Sequence, residues 1–467
     1  MIPSAGFSRR SLLAAAVAGV CTFAAHPLLA EDRPAPTRPN VILILLDDLS
    51  AKELTPYGGA GITTPHIDRL AADGVCFKTA WATPVCGPSR AMLFTGRYAT
   101  QTRFWDNAVF PRRPIWENHL MLSRVLRDSG YATGMYGKAH FGEDPKTDLG
   151  FSDYCICRTW PGYTGKPQGL NNAKTGMYAG QWYYHPALVA NDKGIKTSPD
   201  DFGPDIEVQH LLAFIDKNKQ RPFFAYWATN LPHKQYSPEA KWHYTDVPEL
   251  TPDGTPTGKR VPGSLKSNVE YADHLIGKIL SALTTAGVLD NTLVIITADN
   301  GTADYGKNVL TSEVGPRVPF IVAGPGVKKQ GPSDHLVSLA DVFPTLVELC
   351  GAKVRADYDF NGASFARALR GERGKGRNWL YSHLASGTWI RNDRWLKDAA
   401  GNFWDCGTNR DETKGYKDVT NSTDPEVINA KRTFADILAS MPKPDPNDKA
   451  IGPALRRAEV TLGLRKN

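Results

Sequence analysis

The sequence predicts an α/β protein, with a mostly parallel sheet flanked by helices and a smaller C-terminal α+β subdomain. Residues 41–46 are continuously apolar, as in a strand buried on both faces. Further strand-like runs then alternate with helical patterns, which is typical of a parallel sheet. Beyond about residue 370 the helical stripes thin out, and short pieces separated by turns replace them.

Each element follows from local patterns. Four more runs have strand character, at residues 131–136, 223–228, 293–297 and 319–322. Apolar residues at helical spacing predict helices at residues 65–73, 122–126 and 269–283. Thr64 precedes the first helix as a candidate cap, and glycines 74, 130 and 287 are expected to end the three helices. In the C-terminal subdomain, short pieces separated by turns are expected at residues 379–382 and 388–397.

Composition is that of a globular protein with one large and one smaller domain. The chain has 467 residues, 41% of them hydrophobic and 22% charged. Its formal net charge of +7 is spread without a basic stripe, so nucleic acid is not expected as a partner. A mildly positive protein suits an anionic substrate.

The N-terminus has the pattern of an export signal. Residues 8–13 (Ser-Arg-Arg-Ser-Leu-Leu) lead into an apolar run that ends near Ala30. The paired arginines are typical of a twin-arginine signal, so we expect a bacterial periplasmic or secreted protein with no membrane association after cleavage. A membrane anchor is the alternative, but the run is short for a spanning helix.

These patterns divide the chain into four parts. We expect a signal peptide at residues 1–30, a Pro-rich linker at 31–39, a catalytic domain at 40–370 and a C-terminal subdomain at 371–467. Of the 7 cysteines, Cys21 leaves with the signal. The spacing of the others fits no zinc site, and an oxidising compartment permits disulfides among them.

Polar residues follow several predicted strands. Asp47 and Asp48 come after the first, and Asp299 and Asn300 after the run at 293–297. Lys138 and His140 follow the run at 131–136, and His233 follows the run at 223–228. Ligands bind beyond the carboxyl ends of strands in open α/β sheets, so these side chains are expected to converge.

The oxygen-bearing members of this set suggest a hard cation. Asp47, Asp48, Asp299 and Asn300 offer carboxylates and an amide, which suit Ca²⁺, with Mg²⁺ as the other option. Adjacent carboxylates repel each other unless a cation offsets them. The alternative is that Asp48 and Asp299 cap the segments that follow them.

A longer motif begins at Cys86. Residues 86–96 read Cys-Gly-Pro-Ser-Arg-Ala-Met-Leu-Phe-Thr-Gly and resemble the type I sulfatase signature C-x-P-S-R-x-x-L-x-T-G at every defined position. Four further segments resemble that family's motifs in the family's order. They are G-K-x-H-x-G at 137–142, P-H at 232–233, T-x-D-N-G at 297–301 and E-x-G-x-R-x-P at 313–319, in which Val314 replaces the family's frequent Gly or Glu.

The resemblance implies an alkaline-phosphatase-like sheet, followed by a smaller C-terminal sheet, and a modified nucleophile. A formylglycine-generating or sulfatase-maturating enzyme would convert Cys86 to the aldehyde formylglycine. One hydroxyl of the aldehyde hydrate would attack sulfur, and the second would expel sulfate by C–O cleavage. The alternative is that Cys86 stays an inert or disulfide-bonded thiol.

The resemblance also implies roles by position. Asp47, Asp48, Asp299, Asn300 and the modified Cys86 would hold the cation. Lys138 would bind sulfate and the hydrate, and Arg90 would hold the hydrate. His140 would take the proton as sulfate leaves, and His233 would protonate the leaving oxygen or bind sulfate. Lys307 would bind sulfate, but it precedes Glu313 by one residue more than expected, so a surface lysine is the alternative.

The substrate is less defined by sequence. A sulfated carbohydrate is expected by family analogy. The aromatic residues of 158–186 could form a wall against it: Trp160, Tyr163, Trp182, Tyr183, Tyr184 and the neighbouring His185. C-terminal residues could add to that wall: Trp389, Arg391, Asn392, Arg394 and Trp395. The alternatives are a phosphomonoesterase, phosphodiesterase or phosphonate hydrolase on the same fold, and a non-catalytic sulfoglycan-binding protein.

Overall fold

A mixed sheet of eleven strands lies at the centre of the described part of the chain. The computed structural model describes residues 38–107, 115–140, 144–157, 182–237, 240–372, 376–409, 415–441, 456 and 459–460. The predicted signal and most of the predicted linker lie outside these residues. No helix among the described residues is long and apolar enough to cross a membrane.

The strands, numbered along the chain, are β1 (Asn40–Leu46), β2 (Val75–Trp81), β3 (Ala132–Gly137), β4 (Asp153–Cys157), β5 (Leu188–Ala190), β6 (Lys193–Gly194), β7 (Phe223–Ala228), β8 (Gln235–Ser237), β9 (Lys241–His243), β10 (Val247–Leu250), β11 (Pro256–Val261), β12 (Thr292–Ala298), β13 (Arg317–Val318), β14 (Phe320–Ala323), β15 (Gly331–Ser338), β16 (Leu380–Leu384), β17 (Gly387–Arg391), β18 (Trp395–Lys397), β19 (Phe403–Asp405) and β20 (Lys417–Asp418).

The α-helices are α1 (Pro65–Asp73), α2 (Cys86–Thr95), α3 (Ala99–Thr102), α4 (Ile115–Asn118), α5 (Leu122–Asp128), α6 (Gly203–Asn218), α7 (Leu265–Thr285), α8 (Val342–Leu349), α9 (Ala366–Leu369) and α10 (Pro425–Ser440). Short 3₁₀ turns lie at Ala51–Glu53, Thr55–Tyr57, Leu289–Asn291 and Leu339–Asp341, and a π turn lies at Pro145–Leu149.

The centre of the main sheet is parallel. Its spatial order is β13-β2-β14-β12-β1-β7-β3-β4-β5-β6, with β15 beside β2. Five consecutive strands run parallel to one another: β12, β1, β7, β3 and β4. Antiparallel strands follow on both sides, β14 next to β12 and β5 next to β4. All residues of β1, β7 and β12 are buried. Side chains on both faces are therefore covered, which confirms the predicted α/β fold.

The predicted elements lie close to where the sequence placed them. The five predicted strands appear as β1, β3, β7, β12 and β14, and the three predicted helices as α1, α5 and α7. Thr64 stands at the start of α1, but its hydroxyl lies 3.1 Å from the Asp68 carboxylate and does not cap the backbone. Two long helices were missed, because α6 and α10 have sparse apolar stripes among many polar residues.

The C-terminal strands form a separate antiparallel sheet in the order β16-β17-β18-β19-β20. Helix α10 packs its Val427, Ala430 and Phe434 against this sheet. The prediction that Trp389, Arg391 and Trp395 face a substrate was wrong, because all three are buried among these elements. Arg394 is half-exposed but pairs with Asp405 and Glu426.

A buried ion pair connects the two sheets. The guanidinium of Arg391 on β17 donates to the carboxylate of Glu313, which precedes β13. The same carboxylate accepts from Trp81 Nε1 at 3.1 Å and from the Tyr416 hydroxyl. Because Arg391 and Glu313 are both fully buried, each charge depends on the other for compensation.

All six cysteines beyond Cys21 are buried and unbridged. The described residues therefore contain no disulfide, although the expected compartment would permit one.

We predict that Arg391→Met destabilises the protein strongly, because it leaves the Glu313 carboxylate buried without a cation. Breaking a buried pair on one side costs about 3–5 kcal/mol. Urea unfolding followed by tryptophan fluorescence measures the loss. Arg394→Met is the matched control, since it removes an arginine from the same sheet at the surface. Equal midpoints for the two variants would contradict the prediction.

Candidate active site

The carboxyl ends of four adjacent strands bring the predicted polar residues together. Strands β12, β1, β7 and β3 are consecutive in the sheet. Backbone hydrogen bonds continue beyond the strand ends, from Asp299 N to Leu46 O at 3.1 Å and from Lys138 N to Ala228 O at 2.7 Å. Asp47 N likewise donates to Leu231 O at 3.0 Å. The loops that carry the site are thus fixed by the sheet itself.

Cys86 lies at the centre of this edge. Its Sγ is 3.5 Å from Asp47 Oδ1 and 3.9 Å from Asp48 Oδ1. Ligand atoms of Asp47, Asp48, Cys86 and His233 all lie within 4.8 Å of one another, and all four residues are buried. Burial raises the pKa of the Cys86 thiol, despite the nearby Lys138 and Lys307. The residue is therefore a neutral thiol in its unmodified form.

The other residues of the Cys86 motif shape the turn that presents it. Cys86 is the first residue of α2. Ser89 Oγ accepts from Thr83 N at 2.9 Å and lies 3.0 Å from Val85 O, which ties the turn to the start of the helix. Gly87 has no room for a side chain, because a Cβ there would lie 2.5 Å from the Phe104 ring. The motif therefore fixes the position of residue 86.

Arg90 is bound by the carboxylate of Asp299, which follows β12. Its Nε and Nη2 donate to Asp299 Oδ2 at 2.9 and 2.7 Å, and its Nη1 donates to Lys138 O at 3.1 Å. Nη2 also lies 3.5 Å from Asp47 Oδ2. The role predicted for Arg90, holding the hydrate, stays a prediction. In the structure its contacts join α2 to β12 and β3.

Two lysines complete the site. Lys138 Nζ pairs with Asp47 Oδ2. Lys307 Nζ lies 2.9 Å from Asp48 Oδ2 and 2.8 Å from His233 Nε2. The irregular spacing before Glu313 therefore does not leave Lys307 on the surface, and the structure places it among the other predicted residues.

The site contains three carboxylates and three cationic side chains. Burial raises the pKa of Asp299 to about 6, and the negative charge of Asp47 adds to this effect. For Asp47, burial also acts upward, but Lys138, His233 and Arg90 together hold the pKa of its carboxyl well below the ordinary value. The lysines and Arg90 already offset the repulsion between adjacent carboxylates, so that repulsion does not by itself require a metal ion.

Both predicted histidines lie in this environment. Burial and the neighbouring Lys307 lower the pKa of His233 to about 4. Burial, followed by the charges of Lys138 and Arg90, lowers the pKa of His140 well below its ordinary value. His233 Nδ1 lies 2.5 Å from the Lys234 carbonyl, so Nδ1 carries the hydrogen and Nε2 of the neutral ring is an acceptor.

Backbone conformations at the site are strained. Asp48 and His140 have φ values of 65° and 63°, in the left-handed region that residues other than glycine rarely adopt. Such conformations cost of order 1–3 kcal/mol each and are found preferentially at functional sites. Hydrogen bonds such as the 2.6 Å contact from Asn300 Nδ2 to Asp48 Oδ1 hold the first of them.

The chemistry of the donor set fits a divalent cation. Asn300 Oδ1 is buried and has no hydrogen-bond partner among the described residues. The Nδ2 of the same amide lies 2.6 Å from Asp48 Oδ1, so the side chain belongs to the site, and a hard cation would satisfy its oxygen. The cluster of possible metal-ligand atoms includes one from His233 but none from Asp299. Both carboxylate oxygens of Asp299 already accept hydrogen bonds, from Asp48 N and from Arg90. A ligand role for Asp299 therefore stays a prediction.

The predicted aromatic wall is only partly described. Trp160 and Tyr163 lie outside the described residues. Trp182 packs edge-on against His233, with ring centroids 5.2 Å apart. Tyr183 is buried, and its hydroxyl donates to the carbonyls of Asn230 and His233 at 2.7 and 2.6 Å. These two residues support the loop of His233. Tyr236 and Trp242, just beyond that loop, were missed by the sequence analysis.

Comparison with known proteins decides the family. The sulfatase family model matches residues 39–352. The chain is 30% identical over 369 residues to N-acetylgalactosamine-6-sulfatase of Canis lupus familiaris, covering 72% of this chain and 67% of that protein. The chain belongs to the sulfatase family. It is therefore a sulfuric ester hydrolase by class, and it spans about two thirds of the length of this relative.

Solved structures similar to this sulfatase show the same fold. The crystal structure of Ps i-CgsB in complex with k-i-k-neocarrahexaose matches 92% of this chain and 100% of its own, with a TM-score of 0.69 and 23% identity. Phosphonate monoester hydrolase of Agrobacterium radiobacter matches 86% of this chain and 95% of its own, with a TM-score of 0.60 and 20% identity. The likeness to these two structures concerns the fold alone.

We predict that Ca²⁺ raises the unfolding temperature of the sulfatase and that Asn300→Ala reduces this rise. A ligand at about 100 times its dissociation constant adds about 2.7 kcal/mol of stability. Calorimetry with EDTA and with increasing Ca²⁺ or Mg²⁺ measures the effect.

Asn268→Ala is the matched control for this experiment. Asn268 is also buried and its Oδ1 also lacks a partner among the described residues, but it lies on α7 and its amide donates to Thr245 O. This variant should lose stability and keep the full response to the cation. An identical response in the Asn300 and Asn268 variants would contradict the prediction.

We predict that Glu207→Gln removes a decline of stability with rising pH. Glu207 is fully buried on α6 behind Gly137, and burial raises its pKa to about 8, although Trp227 donates to it. The folded state holds this proton up to about pH 8, whereas the unfolded chain releases it near pH 4.5. Stability is therefore lost as pH rises through this window, at about 1.4 kcal/mol per pKa unit.

Urea unfolding of the parent and of Glu207→Gln at about pH 5 and about pH 9 tests this linkage. The stability of the variant relative to the parent should increase from the lower to the higher pH. A difference that does not change with pH would show that the Glu207 carboxyl has an ordinary pKa.

Proposed function

We propose that this sulfatase releases inorganic sulfate from a sulfated saccharide, with formylglycine formed from Cys86 and a divalent cation. One observation carries the proposal. Residue 86 of the C-x-P-S-R motif lies against Asp47 and Asp48, within a cluster that also includes His233. A nucleophile at this position would face an anion held by Lys138 and Lys307.

The overall reaction consumes one water. A sulfate ester, R–O–SO₃⁻, and water yield the alcohol R–OH, sulfate and one proton. Formylglycine hydrate at position 86 would supply a hydroxyl nucleophile, and a Ca²⁺ or Mg²⁺ ion held by the carboxylates would supply positive charge that polarises sulfate oxygens. A covalent route divides a difficult hydrolysis into two easier steps.

The charges of the site suit a sulfate group. Three carboxylates and three cationic side chains nearly cancel, so a bound divalent cation leaves a net positive site. Lys138 and Lys307 would then contact sulfate oxygens from two sides. Both lysines are paired with carboxylates in the structure, so they are held in place before the substrate arrives.

His233 and Lys307 form a route for the leaving-group proton. His233 Nε2 carries no proton in the neutral ring, because Nδ1 donates to Lys234 O. Lys307 Nζ donates a hydrogen bond to Nε2 at 2.8 Å. Against the effect of burial, the neighbouring Asp48 raises the pKa of Lys307, so the ammonium holds the proton that His233 lacks. The proton would pass to the leaving oxygen as the S–O bond to the alcohol breaks. His140, on the loop after β3, would accept the proton released when the second hydroxyl expels sulfate.

The substrate class and the location in the cell are proposed from the named relatives and from the N-terminal sequence. The N-acetylgalactosamine-6-sulfatase relative and the oligosaccharide complex of Ps i-CgsB favour a sulfated saccharide. Residues 8–13 favour export through the twin-arginine route to the periplasm. A maturation enzyme that reads the residues after Cys86 would be a transient partner.

The alternative reactions have less support. A phosphonate hydrolase shares the fold, but this chain is more similar in sequence to named sulfatases. A non-catalytic saccharide-binding protein would have no use for Lys138 and His140, which are both buried near Asp47.

We predict that protein purified from its native host carries formylglycine at position 86 and prefers sulfate esters. Mass spectrometry of the peptide should show a loss of about 18 Da relative to the thiol. Turnover of an aryl sulfate should exceed that of the matching aryl phosphate. Cys86→Ala should lose at least about 10³-fold in kcat.

Cys350→Ala is the control, because it removes a buried thiol from the end of α8. This variant should keep the modification and the activity. An unmodified thiol at position 86 in protein that nevertheless turns over sulfate esters would refute the proposed nucleophile.

A further inference from the structure

An aromatic hairpin follows His233 directly. Strands β8 and β9 pair antiparallel, with Tyr236 opposite Trp242. These side chains are 54% and 58% exposed. Among the described residues, the one other exposed large hydrophobic side chain is Ile428 on α10, at 43%. Two of three exposed large side chains thus occur together on one short hairpin.

The hairpin stands beside the catalytic histidine. The Trp242 ring lies 6.1 Å from the His233 ring at an interplanar angle of 70°. On another side of His233, the buried Trp182 packs at 5.2 Å. His233 is therefore bordered by one tryptophan that is buried and by a second that is open to solvent.

Trp242 also lies where the site is open. Asp47, Asp48, Cys86 and Lys138 are almost completely buried, whereas the Lys307 side chain is 19% exposed. Because Lys307 contacts His233, the open edge of the site is the edge next to Trp242. A group attached to a sulfate bound at Lys138 and Lys307 would leave the site along this edge.

The two rings pack against each other on one face of the hairpin. Tyr236 and Trp242 pack edge to face, with centroids 5.6 Å apart and an interplanar angle of 65°. Gln235 Nε2 and His243 Nε2 lie 3.2 Å apart across the base of the hairpin. A flat indole exposes a large apolar face at low entropic cost, which suits contact with the C–H face of a sugar ring.

We propose that Trp242, supported by Tyr236, is the stacking surface for the saccharide ring on the leaving-group side of the scissile bond. The inference rests on the proposed function and adds a specificity-determining subsite to it. It assigns recognition of the sugar to the hairpin after His233, which is separate from the residues that hold sulfate.

Kinetics on two kinds of substrate test the proposal. The probes are a tetrasaccharide ending in N-acetylgalactosamine 6-sulfate, sulfated neocarrahexaose, and 4-nitrophenyl sulfate. Trp242→Ala should lower kcat/KM for the saccharide that the parent cleaves by about tenfold or more, through KM. Trp242→Phe should retain most of the activity. Ile428→Ala is the matched control for loss of an exposed apolar side chain and should match the parent.

The kcat for 4-nitrophenyl sulfate separates stacking from an effect on His233. This kcat should stay within about twofold of the parent in Trp242→Ala. A fall in kcat on both substrates would mean that Trp242 positions His233, which would overturn the proposal. Unchanged saccharide kinetics in Trp242→Ala would overturn it as well.

Binding of the desulfated saccharides tests the surface independently of catalysis. Saturation-transfer NMR should show contacts from ring C–H protons to the parent, and Trp242→Ala should lose them. If the parent cleaves no sulfate ester but these contacts appear, the proposed function fails and the stacking surface stands. Contacts that persist in Trp242→Ala, or no contacts to the parent, would overturn the stacking surface.

Discussion

The rest of the structure depends on compensation among buried charges at one edge of the main sheet. Asp47, Asp48 and Asp299 are delivered by β1 and β12 into a region with almost no solvent access. Isolated carboxylates in such a place would be very unfavourable. Three cations from other segments pair with them: Arg90, Lys138 and Lys307. These pairs require that α2, the loop after β3 and the loop before β13 all reach the same edge of the sheet.

This constraint explains why the motif around Cys86 extends beyond the reacting residue. Arg90 holds Asp299, Ser89 ties the turn to Thr83 and Val85, and Gly87 lets Phe104 approach. The positions therefore fix a cysteine at the N-terminus of a helix, between two carboxylates. The same logic reaches the C-terminal sheet, where Arg391 and Tyr416 bind Glu313 and so support the segment that carries Lys307.

The charge arrangement also separates ion-paired residues within the site from solvent-exposed residues at its edge. Groups that would face sulfate are fixed in advance by ion pairs, so little reorganisation is needed when an anion binds. The Lys307 side chain belongs to this set although it is 19% exposed, whereas the aromatic hairpin beside His233 is open to solvent. The residues that would hold sulfate are thus separate from those that could contact the rest of a substrate.

The sequence by itself determined the fold class and the family, and it predicted polar residues that the structure brings together. Continuous apolar strands ending in Asp47-Asp48 and Asp299-Asn300 could be recognised locally, because burial on both faces leaves no alternation. The eleven residues from Cys86 indicate the family because every defined position of the signature occurs within one short segment. Helices α6 and α10 were not predicted, because their apolar stripes are sparse and their buried side becomes apparent only from tertiary packing.

Only the tertiary structure decided how these residues pair. The irregular spacing of Lys307 left a surface position open, and its contacts with Asp48 and His233 closed that question. Arg391 was expected at a substrate but is buried on Glu313, since sequence cannot show which face of a short strand turns inward. The sequence did not predict a role for Trp242, because the proposed role depends on the contact of its ring with His233, nine residues earlier. Contacts between distant segments carry this information, and no local pattern encodes them.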